Sequence, residues 1–271
     1  MSALRKLFLL LFSWLTFMTS SPDFSALLLV ALAGLWAGTQ NVLAGGGSFI
    51  TFPALLLAGL NPLSANITST IALFPSQITS SLAGRKLAGG VGRLSLWALF
   101  GLSVVGGIVG AVLLLNTPVS FFTRLVPWLV MFATIVFAWG SFRRKPVDGA
   151  GHVPLPVLVV VQFLIGVYGG YFGGGIGILM LAALTIAGQQ VRMATATKNV
   201  LAMAMNASAV ALFLLSPQVQ WHSAIALGIG GIGGGLIGNW LVHRTPEKLL
   251  RALVVVIGVV LTVWLFIRAA S

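Results

Sequence analysis

The chain has 271 residues, 58% of them hydrophobic and 7% charged, with a mean hydropathy of +1.07; a soluble domain carries about 25% charged residues, so this one lacks the polar groups to cover a water-facing surface. Fifteen Lys and Arg against three acids give a formal net charge of +12, and the absence of cysteine excludes disulfides, thiolate chemistry and sulfur-ligated metals. The acids Asp23, Asp148 and Glu247 and the histidines His152, His222 and His243 fall in loops or near segment ends, so neither a buried carboxylate pair for acid–base catalysis nor a metal-site spacing is available.

Residues 1–22 place Arg5 and Lys6 ahead of an apolar run, "LFLLLFSWLTFM". The order resembles a signal peptide, yet no A-x-A cleavage site follows, and an uncleaved extra helix is expected. Apolar segments then fall near 24–44, 48–59, 64–84, 94–115 and 119–141, and again near 154–172, 176–187, 194–215, 222–242 and 247–268. The longer ones reach about 20 residues, enough to cross roughly 30 Å of hydrocarbon, and without strict alternation they are helices rather than barrel strands. "LNP" at 60–62, "NTP" at 116–118, "SP" at 216–217 and "RTP" at 244–246 supply the breaks. The basic, polar "RRKPVDGAGH" at 143–152 is the natural midpoint. The expected fold is an all-α polytopic membrane protein, with an N-terminal segment 1–22, a first membrane repeat 23–142, a cytoplasmic linker 143–153 and a second membrane repeat 154–271.

The two sets read as copies. "GGGSFITFPALLLAGLNPLSANITSTIALFPSQ" from Gly45 and "GGGIGILMLAALTIAGQQVRMATATKNVLAMAMN" from Gly173 follow one plan. Gly59 pairs with Gly188 at a shift of 129, and Gly110 with Gly238 and Thr117-Pro118 with Thr245-Pro246 at 128. Such constancy marks an internal duplication of about five helical segments per half.

With a cytoplasmic N-terminus and one crossing per segment, twelve Lys and Arg fall inside, only Arg124 and Arg268 fall outside, and Lys198 lies within a span. The positive-inside rule therefore explains the net charge, and no nucleic-acid partner is expected. The same threading starts the two repeats on opposite sides, which makes them inverted. The 12-residue segments 48–59 and 176–187 rise only about 18 Å as helix. Each is a short crossing or the return limb of a re-entrant hairpin, and either leaves the downstream sides unchanged. Inverted repeats with broken helices belong to secondary transporters, whose sites lie near the midplane where the repeats meet.

Two features carry candidate chemistry. The triplets Gly45-Gly46-Gly47 and Gly173-Gly174-Gly175 open short helices, where unpaired N–H groups favour anions. Gly106, Gly107, Gly110 and the glycines of 228–238 read instead as close packing. The segments after the triplets carry matched polar stripes. Asn66, Thr70 and Gln77 correspond to Thr195, Asn199 and Asn206, in each case at i, i+4 and i+11, on one helical face. Thr68 matches Thr197. Ser69 matches Lys198, the one cation inside an apolar run. Hydroxyls in such stripes often only glue helices together, whereas amides at matching depth point to a site. Lys198 is either a functional intramembrane charge or, six residues past Arg192, a side chain that snorkels to the interface. Donors outnumber acceptors, which suits a small anion and disfavours Na⁺ or an amine.

These residues resemble the TauE/SafE sulfite exporter family, also called the toluene sulfonate uptake permease family. The resemblance spans roughly residues 25–268 and rests on the glycine-rich openings, "ANITST" and "ATATKN", the basic "GRK" at 84–86, and "GGLIGNWLVHRTPEKLLRAL" from Gly234. It implies transport of small sulfur-containing anions, such as sulfite, sulfonates or sulfoacetate, across the lipid bilayer of the bacterial inner membrane, often outward. No cofactor and no enzymatic activity are expected. The sequence leaves open the exact anion, the coupling ion and whether the chain forms a homo-oligomer. The rival from another class is a non-transporting membrane scaffold whose polar stripes only hold helices together.

Overall fold

The computed structural model describes residues 23–43, 46–142, 153–241 and 247–270. Among the described residues there are ten α-helices: α1 (Phe24–Leu43), α2 (Ser48–Leu57), α3 (Pro62–Gly84), α4 (Leu96–Leu115), α5 (Val119–Phe142), α6 (Leu155–Tyr171), α7 (Ile176–Ile186), α8 (Val191–Phe213), α9 (Trp221–Leu241) and α10 (Glu247–Ala270). A 3-10 turn, Arg85–Leu87, and an isolated bridge between Val91 and Leu94 shape the link from α3 to α4. The all-helical class is as expected. The helix anticipated at 1–22, the linker at 143–152, Gly45, His243 and the Thr245-Pro246 break lie outside the described residues.

Local chemistry sets the helix ends. α3 starts at Pro62, two residues before the expected boundary, because the Asn61 side chain accepts from Ser64 N–H at 2.9 Å and Pro62 has no N–H to leave unpaired. Ser95 caps α4 likewise, accepting from Ala98 N–H at 3.2 Å. α2 and α7 stop in the same way. Gly59 and Gly188 adopt φ of 91° and 96°, and the N–H groups of Leu60 and Gln189 reach back to the carbonyls of Leu55 and Leu184. Only glycine takes that left-handed ending without strain.

Among the described residues four helices are long and apolar enough to cross a membrane, over Phe24–Asn41, Leu96–Leu115, Val119–Ser141 and Leu249–Arg268. α3 and α8, at 23 residues each, rise about 35 Å and are long enough, but their polar stripes dilute their apolarity. α2 and α7, at 10 and 11 residues, rise only about 15–17 Å, half of the hydrocarbon thickness.

α1 lies along α9, and α6 along α4; α3 packs on α9, and α8 on α4; α3 meets α8, and α5 meets α10. Exchanging the halves maps each of these pairs onto another or onto itself. Glycine builds the two long seams. A β-carbon at Gly38 would collide with the Gly231 carbonyl oxygen and one at Gly234 with that of Leu35; in the other seam Gly110 faces the Val167 carbonyl and Gly170 that of Gly107. Backbones approach this closely only where side chains are absent. Gly235 departs from the packing expected of its stretch, since a β-carbon there would meet nothing. α3 and α8 occupy the centre, with Ala65, Ile67, Leu201 and Met205 inaccessible, while Leu32, Val112, Ile232 and Val260 are exposed, an apolar rim suited to lipid tails.

Candidate functional site

α3 and α8 bring their stripes together. Asn206 Nδ2 donates to Gln77 Oε1 at 2.8 Å, and the two positions are 129 apart, the shift that relates the halves. A residue that touches its own counterpart marks where the halves meet.

Around this contact lies a cavity of about 770 Å³. From the first half it is lined by Gly46, Gly47, Asn66, Ser69, Thr70 and Gln77, and from the second by Gly173, Gly174, Gly175, Thr195, Lys198, Asn199 and Asn206. α2 begins directly after Gly47 and α7 directly after Gly175. Both triplets thus place the start of a short helix at one cavity. Gly46, Gly173 and Gly175 adopt φ of 85°, 78° and 71°, the left-handed region that the sharp entry into each helix requires.

Thr68 and Thr197 were expected in the site and are not at the cavity. Both are inaccessible and point to the opposite side of their helices. Thr68 Oγ1 accepts from Gln220 N–H at 3.1 Å, and Thr197 Oγ1 accepts from Gly89 N–H at 3.1 Å. Each threonine pins the loop that leads into a helix of the other half, α9 or α4. A stripe spaced at i+2 leaves one helical face, and these two hydroxyls serve packing.

The remaining hydrogen bonds show which polar groups are already committed. Ser69 Oγ lies 2.6 Å from Thr51 Oγ1. Asn66 Nδ2 donates to the Tyr171 carbonyl at 3.0 Å, and Thr70 to the Asn66 carbonyl at 2.9 Å. Gly47 N–H donates to Asn41 Oδ1 at 2.8 Å. Thr195 donates to the Val191 carbonyl at 2.8 Å. Lys198 and Asn199 make no such bond among the described residues.

The sequence did not reveal Arg251, Asn41 or the aromatic wall. Arg251, expected among the cytoplasmic orienting charges, lines the cavity and donates from Nη1 to the Ser141 carbonyl at 3.3 Å. It lies within electrostatic reach of Lys198. Its signal was available, because it falls one turn inside an apolar helix rather than in a loop. Phe49 and Phe137 meet edge to face at 5.6 Å, and Phe52 and Phe172 at 5.9 Å. All four line the cavity. Among the described residues no carboxylate lines it, so its chemistry is hydrogen-bond donation and positive charge against an apolar wall.

The sequence model of the family described as sulfite exporter TauE/SafE matches residues 30–265. A probable membrane transporter protein of Haemophilus influenzae is 30% identical over 234 residues, 84% of this chain and 90% of that protein. Probable membrane transporter protein ORF9 of a Sinorhizobium species is 31% identical, covering 89% of this chain and 92% of its own length. Probable membrane transporter protein YfcA of Escherichia coli K12 is 27% identical, covering 91% and 90%. No solved structure matches the chain.

Proposed function

Because the chain belongs to the TauE/SafE sulfite exporter family and is a multi-pass membrane transporter rather than an enzyme, we propose that it exports small sulfur-containing anions, such as sulfite, sulfonates or sulfoacetate, across a bacterial inner membrane. The observation that carries this is the central cavity, where both short-helix starts, Lys198 and Arg251 converge and no described carboxylate intrudes. A compact anion that sheds water there finds donors and positive charge, while a cation finds neither a counter-charge nor a cage of oxygens.

The two halves are inverted in the bilayer, the N-terminus is cytoplasmic, and the halves rock about the shared cavity to expose it to each side in turn. A monoanion leaving an inside-negative cell gains about 2.3 kcal/mol per 100 mV, so outward movement needs no ATP and no proton-relay acid. The test is flux from proteoliposomes loaded with sulfite, methanesulfonate or sulfoacetate. Efflux of at least one should exceed that from protein-free vesicles and accelerate when the interior is made negative. Rates equal to the protein-free control for all three, with oriented and folded protein confirmed, would sink the proposal.

A further inference from the structure

Hydrogen-bond accounting separates the two halves of the cavity. In the first half the Gly47 N–H and the Ser69 hydroxyl are spent on the protein itself, while the Gly46 N–H finds no acceptor among the described residues. Gly47 N–H, at the start of α2, is taken by Asn41, and Ser69 is taken by Thr51. In the second half the equivalent groups are unspent. Among the described residues the N–H groups of Gly174, Gly175 and Gly177 find no acceptor. Lys198, the counterpart of Ser69, is half-buried at the cavity wall and makes no hydrogen bond among the described residues. Its position is informative. Lys198 Nζ lies 3.8 Å from where a β-carbon on Gly177 would stand, so the ammonium sits beside the first turn of α7. Asn199, the next residue, lines the same wall.

Unpaired donors gathered on one cavity wall match the oxygens of an anion, and an ammonium beside the positive end of a helix is unfavourable. Both anomalies end when a negative group enters between them. Resting on the transporter reading above, we infer that the cavity is lopsided: the oxyanion head of the substrate docks between Lys198, Asn199 and the N–H groups of Gly174, Gly175 and Gly177, and the first half contributes a wall whose matching groups, Gly47 N–H and Ser69, are already paired. The ligand class is a small oxyanion with several oxygens around one centre. Its remaining bulk points toward Phe49, Phe52, Phe137 and Phe172. Lys198 is then the residue that selects for charge, and Gly46 and Gly47 shape the cavity without holding the head.

The experiment is calorimetric titration of the full-length, detergent-purified protein with methanesulfonate, sulfite and inorganic phosphate. Lys198→Gln should weaken every anion that the wild type binds by about 10- to 100-fold, and Lys198→Arg should recover most of that loss. As a readout that needs no variant, methanesulfonate should slow reductive methylation of Lys198 in the wild type severalfold, followed by mass spectrometry. Unchanged affinity in folded Lys198→Gln, an equal loss in Ser69→Ala, or methylation indifferent to methanesulfonate would each overturn the one-sided site and leave the transporter reading intact. Phosphate as the only ligand, weakened by Lys198→Gln, would support the docking position and remove the sulfur-anion assignment. No binding by any of the three to the wild type overturns both.

Discussion

Asn199 and Asn206 are both amides on the α8 stripe, about two turns apart, and the structure gives them different work. Asn206 is committed to Gln77 across the meeting of the halves, whereas Asn199 spends nothing on described neighbours. Asn206→Leu should therefore lower stability, by about 1–2 kcal/mol, the cost of leaving a buried partner unpaired. Asn199→Leu should leave stability near wild type and weaken anion binding. Thermal unfolding in detergent with and without methanesulfonate separates the two effects. Equal destabilisation by both would return the stripe to a purely adhesive role. Asn199, Asn206 and Lys198, grouped from the sequence because duplication put chemically similar residues at equal spacing, line one cavity. The sequence misassigned Thr68 and Thr197, since a matched hydroxyl has the same spacing whether it faces a cavity or pins a loop. Arg251 escaped because a count of basic residues near span ends does not say which way a side chain turns.

At the level of elements, the helices were legible from apolar run length and turn chemistry, and most boundaries fell within three residues. α8 departs furthest, starting three residues early: Arg192 and the glutamines before it interrupt the apolar run, yet Val191–Met193 are helical. What no run length predicts is which helices touch. The seams of α1 with α9 and of α4 with α6 are written in glycine, but glycine does not name its partner. The seams make a sharp contrast inside one helix. Gly110→Ala puts a methyl into the Val167 carbonyl and should cost about 1–3 kcal/mol, as overpacking does. Gly101→Ala, whose β-carbon meets nothing within 4 Å, should be neutral or stabilise by up to about 1 kcal/mol through helix propensity. Unfolding midpoints of the two variants check this, and equal midpoints would mean that the seam is not a tight contact.

For the molecule as a whole, the decisive property is the relative orientation of the halves. Exchange of the halves maps the principal helix pairs onto one another, which supports a twofold relation, and the bilayer sides come from the charge pattern. The native chain has no cysteine, so single-cysteine labelling has no background. Asn61 and Gln190 are equivalent positions, 129 apart and both exposed, at the starts of α3 and α8. On intact cells an impermeant maleimide should label Asn61→Cys and reach Gln190→Cys only after permeabilisation. Labelling of both from one side would end the inverted arrangement.

The α1–α9 seam also governs how the protein is made. α1 leaves the ribosome about 180 residues before α9 exists, and domains otherwise form as they emerge. Its glycine face, ready for a backbone that has not been synthesised, must be sheltered by lipid or by the insertion machinery until the penultimate helix arrives. A nascent chain halted after the first half has no docked α1 and exposes the α3 amides, which marks it for quality-control proteases rather than for a half-sized function.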